Sequence, residues 1–315
     1  MRFTLQPVAP FSLELTAWTL RRDARNEVDR WDGRTYRRVL PVGDVPVEVA
    51  VTQTAPLESP RLLVEVSAAA AVPQAKKRVA AVLDKMLGIS LDLADFYRFA
   101  AGRPRLGALA RRFRGVKPPR FPGVWEALVN AISCQQLSLA VGISLMNRLA
   151  GQYGLPSAGS TRAFPRPQDL AKARIADLRG MGFNHRKAGV IVGLARAVTD
   201  GRLDLEGIEI LDDDSAVEFL TGLDGIGRWS AQYVLLRGLG RLNVFPADDV
   251  GFQNKLAKWL HLDEELDYEG VHRVIRRWRA YGGLIYFFML LNHLSERGHL
   301  TAGKPTAPPE TAGEP

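Results

Sequence analysis

In V-F-P-A-D-D (Val244 to Asp249) two acids stand side by side at the start of a helical stretch, one more than a helix start requires. A carboxylate before such a run ordinarily accepts the first free amides of the helix. The reading adopted here gives that cap to Asp248 and leaves Asp249 to face a cleft. Earlier in the chain, L-T-G-L-D-G-I-G-R-W-S-A-Q-Y (Leu220 to Tyr233) reads as helix, tight turn, helix. Gly225 and Gly227 permit positive φ and carry no Cβ, so a bulky group can approach the backbone there. The helix that opens directly after them turns its unpaired amides toward that space, and an anion such as a DNA phosphate suits it. Taken alone, a G-x-G turn fits a plain connector better than a binding site. Trp229 and Tyr233, at i and i+4, share one helix face, a spacing that serves a core as readily as a pocket.

The segment from Val124 to Ala150 is too apolar for a surface helix and should cross a core, with a break near Gln135. Inside it, S-C-Q-Q-L-S (Ser133 to Ser138) places two adjacent amides where a core has no use for them. Composition narrows the chemistry further. Of 315 residues, 46% are hydrophobic and 24% charged, with 42 Lys+Arg against 34 Asp+Glu, a formal net charge of +8. A basic surface suits a polyanion. The charge is concentrated in Ala101 to Arg120, where Arg103, Arg105, Arg111, Arg112, Arg114, Lys117 and Arg120 occur without an acid. The single cysteine, Cys134, cannot form an intramolecular disulfide or a four-cysteine cluster, and fits a reducing cytoplasm. The 5 histidines form no metal-binding pair at helical spacing, which makes a metal hydrolase a weak reading. No apolar run is long enough to span a bilayer, so no membrane partner is expected.

Around these residues the chain divides by pattern. Residues 11 to 67 look like strands: Val45 to Val51 and Leu62 to Val66 alternate at period two, and Asp32-Gly33 marks a hairpin. After the alanines Ala68 to Ala71, Ala75 to Leu87 is an amphipathic helix. From Leu91 onward almost everything reads as helix: Pro167 to Ala173, His185 to Val198, a helix capped by Asp214 or Ser215 (with Glu218 as in a capping box), Asp248 to Leu260, and Val271 to Leu294. The Pro/Gly/Thr-rich end reads as disordered.

Joined, L-x-G-x-x-G-I-G-R-W-[ST]-A and V-F-P-A-D-D resemble the helix-hairpin-helix superfamily of DNA base-excision glycosylases, from about Phe121 to His293. The sheet-like region before them makes the bacterial DNA-3-methyladenine glycosylase II type the nearest match, so the likeness extends over all but the tail. It implies an α+β protein: a small N-terminal antiparallel sheet with a helix (residues 1–95), then an all-α helix-hairpin-helix region of two subdomains with a cleft between them (96–300), and a disordered tail (301–315). It further implies a monomeric, cytoplasmic, nucleoid-associated bacterial enzyme. Its partner would be double-stranded DNA containing damaged bases, and it would need no cofactor and no metal for catalysis. By this resemblance Asp249 is the catalytic aspartate, Leu223, Gly225, Ile226 and Gly227 form the hairpin that holds a phosphate, and Trp229 and Tyr233 line the base pocket. Trp18, from the first strand, joins the pocket wall, and Gln136 or Leu137 is the wedge that fills the gap left by an extruded base. Trp229 stands where strand-cutting relatives carry a lysine nucleophile, and an indole cannot form a Schiff base. The expected reaction is therefore hydrolysis of the N-glycosidic bond of alkylated purines, without lyase activity. Gly282 and Leu290 depart from the family pattern, replacing a frequent arginine and a late tryptophan, which bears on base preference. Two other readings stay open: a glycosylase for deaminated or oxidised bases, and a non-enzymatic DNA-binding protein.

Overall fold

The computed structural model describes residues 1–67, 72–159 and 161–300, so Ala68 to Ala71 and the tail expected to be disordered lie outside the described residues. Five strands form one antiparallel sheet in the order β1-β5-β4-β3-β2: β1 (Arg2–Leu5), β2 (Arg30–Trp31), β3 (Thr35–Val42), β4 (Val45–Gln53) and β5 (Leu62–Val66). The Asp32-Gly33 turn joins β2 to β3, with the Asp32 carboxylate accepting from the amides of Arg34 and Thr35. Alternate residues of β4 and β5, from Val47 to Val51 and Leu62 to Val66, are buried in a cluster shared with Val79, Leu83 and Met86 of α2 (Ala75–Leu87).

One stretch read as strand is helix. α1 covers Leu13–Arg21, capped by the Ser12 hydroxyl, which accepts from the Leu15 amide at 3.3 Å. Almost every residue of α1 is buried, so its sequence shows no amphipathic period and the alternating Leu13 and Leu15 imitate a strand. Trp18 therefore sits on a helix. The end of α1 is tied down thoroughly. Arg237 donates to the Thr19 and Leu20 carbonyls, Asn26 to the Arg21 carbonyl, and the Arg22 amide to Trp18. Carbonyls that a helix leaves unpaired at its end thus all find donors.

The remaining helices are α3 (Ala94–Ala101), α4 (Pro104–Arg112), α5 (Val124–Cys134), α6 (Leu139–Tyr153), α7 (Pro167–Leu170), α8 (Ile175–Gly180), α9 (His185–Thr199), α10 (Asp213–Thr221), α11 (Arg228–Val234), α12 (Val250–Leu260), α13 (Tyr268–Ile275) and α14 (Gly282–Glu296). α5 and α6 are the expected core segment, broken at residues 135–138. The cap of α10 is Asp212, not Asp214 or Ser215: its carboxylate accepts from both the amide and the hydroxyl of Ser215, while Asp213 is turned to Arg241. The helix expected from Val271 to Leu294 is broken by a 3-10 turn at Arg276–Tyr281. Gly282 and Gly283 then pack against backbone, and a Cβ on Gly283 would lie 2.8 Å from the Val244 carbonyl.

Two packed clusters result. The first unites the sheet with α2, α5, α6, α9 and α11, and the second unites α3, α4, α12, α13 and α14. α1 serves both, giving Leu13, Ala17 and Leu20 to the first and Leu15 and Trp18 to the second. A fully buried arginine fastens sheet to helices: Arg38 of β3 donates to Asp29 at 2.7 Å and to Glu126 of α5, and the Tyr36 hydroxyl also donates to Asp29. Removing one member of such a set strands the others as unpaired buried charges. Arg38→Met is expected to lower unfolding free energy by about 3–5 kcal/mol, read by urea denaturation, whereas an exposed-pair variant such as Arg202→Ala stays within about 0.5 kcal/mol.

Candidate active site

A cavity of about 1200 Å³ runs along the seam between the two clusters. Ile132 and Tyr233 line it from the first, and Phe252, Tyr286, Leu290 and Leu294 from the second. Asp249 stands on its wall. The division of labour differs from that read in the sequence: Asp249 itself caps α12, one carboxylate oxygen accepting from the Phe252 amide at 3.1 Å. Its other oxygen accepts from Trp229 Nε1 and from the Tyr286 hydroxyl, each at 3.2 Å. Asp248 turns away to Arg228, which donates to both its oxygens at 2.7 and 3.0 Å. One carboxylate has two oxygens, so the cap does not remove Asp249 from the cavity.

The loop before α12 is held rigidly. The Ala247 amide donates to Gln232, the Gln253 amide group donates to the Ala247 carbonyl, and the Asp249 amide donates to the Pro246 carbonyl. The Gly283 amide donates to the Leu242 carbonyl at 2.7 Å, tying α14 to the segment that leads into the loop before α12. Burial pushes the Asp249 carboxyl above its usual range, opposed by the Trp229 donor, the Phe252 amide, the Lys255 ammonium and the Tyr286 hydroxyl. Lys255 lines the same cavity, its amine donating to the Gly251 carbonyl at 3.1 Å, and burial lowers its pKa. Burial also raises the Tyr286 hydroxyl well above its ordinary value, Asp249 adding to the effect, so it remains a donor at neutral pH.

The hairpin, residues 223–227, joins α10 to α11. Gly225 has φ +75°, and a Cβ there would come 2.5 Å from Val190, so glycine is required; Gly227 has ordinary negative φ and caps α11, its missing Cβ opening onto empty space. Positive φ is thus needed at one glycine of the pair. Ile226 is buried and its amide donates to the Leu223 carbonyl, whereas the amides of Gly225 and Gly227 meet no acceptor among the described residues. Leu223, Gly225, Ile226 and Gly227 all line the cavity.

Trp229 and Tyr233 stack at 5.4 Å with 29° between planes, and both line the cavity. Trp18 does not reach its wall. It is 7% exposed and stacks at 5.0 Å on His299, which does line the cavity. Gln136 and Leu137 form the rim, Gln136 with left-handed φ +54° and Leu137 43% exposed. The neighbouring Gln135 ties this rim to the hairpin, donating to the Gly225 carbonyl at 3.0 Å and to the Ser230 hydroxyl at 2.9 Å. Lys187 donates to the Gln135 carbonyl from the other side.

Tyr286, Lys255 and Arg22 are site residues that motif reading missed. Tyr286 lies within the quoted run Trp278 to Phe288, but only the fold turns it toward residue 249. Arg22 enters from the end of α1, for which no local signal exists. The basic stretch, by contrast, is mostly tied to other parts of the chain, with Arg105, Arg111 and Arg114 exposed and only Lys117 buried. Arg105 donates to the Leu260 carbonyl, Arg112 to Asn292 and Ser295, Arg114 to Glu58, Lys117 to the Leu91 carbonyl, and Arg120 to the Leu239 carbonyl.

Residues 129–280 match the model of the HhH-GPD superfamily of base excision DNA repair proteins. The match takes in the rim loop, the hairpin and Asp249, and over these residues the chain is similar to this superfamily. The chain is 35% identical over 147 residues to DNA-3-methyladenine glycosylase 2 of Escherichia coli, covering 46% of this chain and 51% of that protein. It is 25% identical over 217 residues to a DNA-3-methyladenine glycosylase of Bacillus subtilis, 68% of this chain and 72% of that one. Several curated relatives are thus spanned only to about half their length, 55% and 51% in two cases. The fold is similar to that of a 3-methyladenine DNA glycosylase from Archaeoglobus fulgidus, with a TM-score of 0.80 and 27% identity over 92% of this chain and 97% of that one.

Because the Asp249 carboxyl titrates above its unfolded value, the folded state binds its proton more tightly, and stability falls as pH rises from the unfolded to the folded pKa. Above that window the buried charge is a constant penalty. Asp249→Asn keeps a capping oxygen and removes the charge, so its Tm at pH 7 is expected to equal or exceed that of the parent, with the difference vanishing toward acid pH. A clear loss of Tm at pH 7 in calorimetry would contradict this.

Proposed function

We propose that the protein is a monofunctional DNA glycosylase that hydrolyses the N-glycosidic bond of alkylated purines in duplex DNA after swinging the nucleotide into the cavity. The observation that carries this reading is the Asp249 carboxylate, 3.2 Å from two fixed donors on the wall of a cavity beside stacked rings. When the base departs, positive charge develops on the sugar. A preorganised anion in a poorly hydrated site stabilises that charge without reorganising, and can orient water at C1′. A methylated purine such as 3-methyladenine or 7-methylguanine carries the positive charge itself and leaves as a neutral molecule. Trp229 offers its ring to such a base, an attraction of about 0.5–2 kcal/mol. The unpaired amides of Gly225 and Gly227 suit a backbone phosphate, and Leu137, exposed at the rim, suits the vacated stack. The protein needs DNA with damaged bases as its partner and can work as a monomer, since every group named lies in one chain.

Asp249→Asn is expected to lower the single-turnover rate of 7-methylguanine release by about 10²–10³ or more while leaving affinity for abasic duplex within a few-fold. Unchanged release would remove Asp249 from the mechanism. The abasic product should remain intact until treated with alkali. A borohydride-trapped enzyme–DNA adduct would overturn the monofunctional reading, and Lys255 would then be the first amine to replace.

A further inference from the structure

The floor of the cavity carries two arginines for which that mechanism has no use. Arg22 is 7% exposed and Arg237 fully buried, and both line the cavity. Neither forms an ion pair among the described residues. Arg22 donates to the Tyr233 hydroxyl at 2.6 Å and to the Asn130 side chain, and Arg237 donates to the two carbonyls at the end of α1. Asp29, the nearest buried acid in the sequence, is engaged by Arg38 and Tyr36. The Nε atom of Arg22 is buried and has no acceptor. A buried charge left without a counter-ion is costly unless something else answers it.

The backbone at Arg22 adds a second observation. It terminates α1 in the left-handed region, φ +63°, a place where glycine or asparagine is the unstrained choice. Here the position carries a long side chain that crosses to α5 and α11. Strain of this kind persists where the surrounding structure holds a residue for use. Leu290 supplies no ring to the cavity, so a base there meets the rings of Trp229, Tyr233, Phe252 and Tyr286 together with the Arg22 guanidinium.

Resting on the glycosylase reading above, we propose that Arg22 is a specificity-determining residue that extends excision to neutral damaged bases bearing a hydrogen-bond acceptor. A neutral base differs from a methylated one in how it leaves. The C1′–N9 bond breaks with both electrons passing to the base, which departs as an anion. Water adds at C1′, and the proton it releases is returned to the base through solvent. An arginine without a carboxylate stabilises that departing anion through an N–H donor on the base acceptor, as a charged hydrogen bond in a dry site does. For a base that is already cationic the same guanidinium is of no help and repels.

The test is single-turnover base release from duplexes holding one hypoxanthine or one 7-methylguanine, at a fixed pH, for the parent, Arg22→Lys and Arg22→Met. Arg22→Met is expected to lose hypoxanthine release by about tenfold or more, the worth of one charged hydrogen bond. Its 7-methylguanine release should hold or rise, so that the ratio between the two lesions inverts. Arg22→Lys, which keeps the charge and loses the fork, should fall between, and it decides the matter if the methionine variant does not fold. An equal fall on both lesions, or a parent that releases 7-methylguanine and no hypoxanthine, overturns the assignment of Arg22. A parent that releases neither overturns the reading of Asp249 instead.

Discussion

A carboxylate that must stay anionic inside a half-dry cavity needs donors that do not neutralise it, and the whole arrangement around residue 249 follows from that need. Burial alone drives the carboxyl toward its protonated form. What opposes that drive is the indole of Trp229, its own helix amide at Phe252 and the phenol of Tyr286, with the Lys255 ammonium adding its charge. These come from α12, α11 and α14, elements of both packed clusters. The site is therefore correct only if the two clusters meet in one register.

Several contacts fix that register. Arg228, the first residue of α11, grips Asp248 while lying 3.5 Å over the Tyr268 ring, which ties hairpin, loop and α13 together. Gln232 and Gln253 hold Ala247 from opposite sides. Gly282 and Gly283 let α14 approach the backbone at residues 242–245 more closely than any side chain would permit. The glycine found where relatives often carry arginine thus has a packing reason in this chain. It lies at the joint that aims Tyr286.

The N-terminal layer is part of the same construction. α1 packs in both clusters, and its C-terminal carbonyls are capped by side chains from as far away as Arg237. That capping delivers Arg22 to the cavity floor. The Arg38, Asp29 and Glu126 set aligns the sheet with α5, whose end leads directly into the rim loop. Within the basic stretch Arg105, Lys117 and Arg120 also serve as ties, each donating to a distant backbone carbonyl.

The chemistry-bearing residues were legible where local sequence dictates local structure. The hairpin glycine, the ring pair at i and i+4, the acid before α12 and the break between α5 and α6 all depend on rules that act within a few residues. What the chain alone left open were choices between chemically equivalent neighbours, and partners brought from afar. Asp248 and Asp249 are the same residue type, and only the position of Arg228 separates them. Asp212, Asp213 and Asp214 are likewise the same residue type, and only the fold gives the cap to Asp212 and turns Asp213 to Arg241. α1 was hidden because a helix buried on all sides shows no period. Tyr286 and Arg22 reach the site across 37 and 108 or more residues of chain, through contacts that no spacing encodes. Sequence determined which groups were available and how each turn and helix begins; packing of the two clusters decided which groups share the cavity, because burial and charge compensation exist only once distant segments meet.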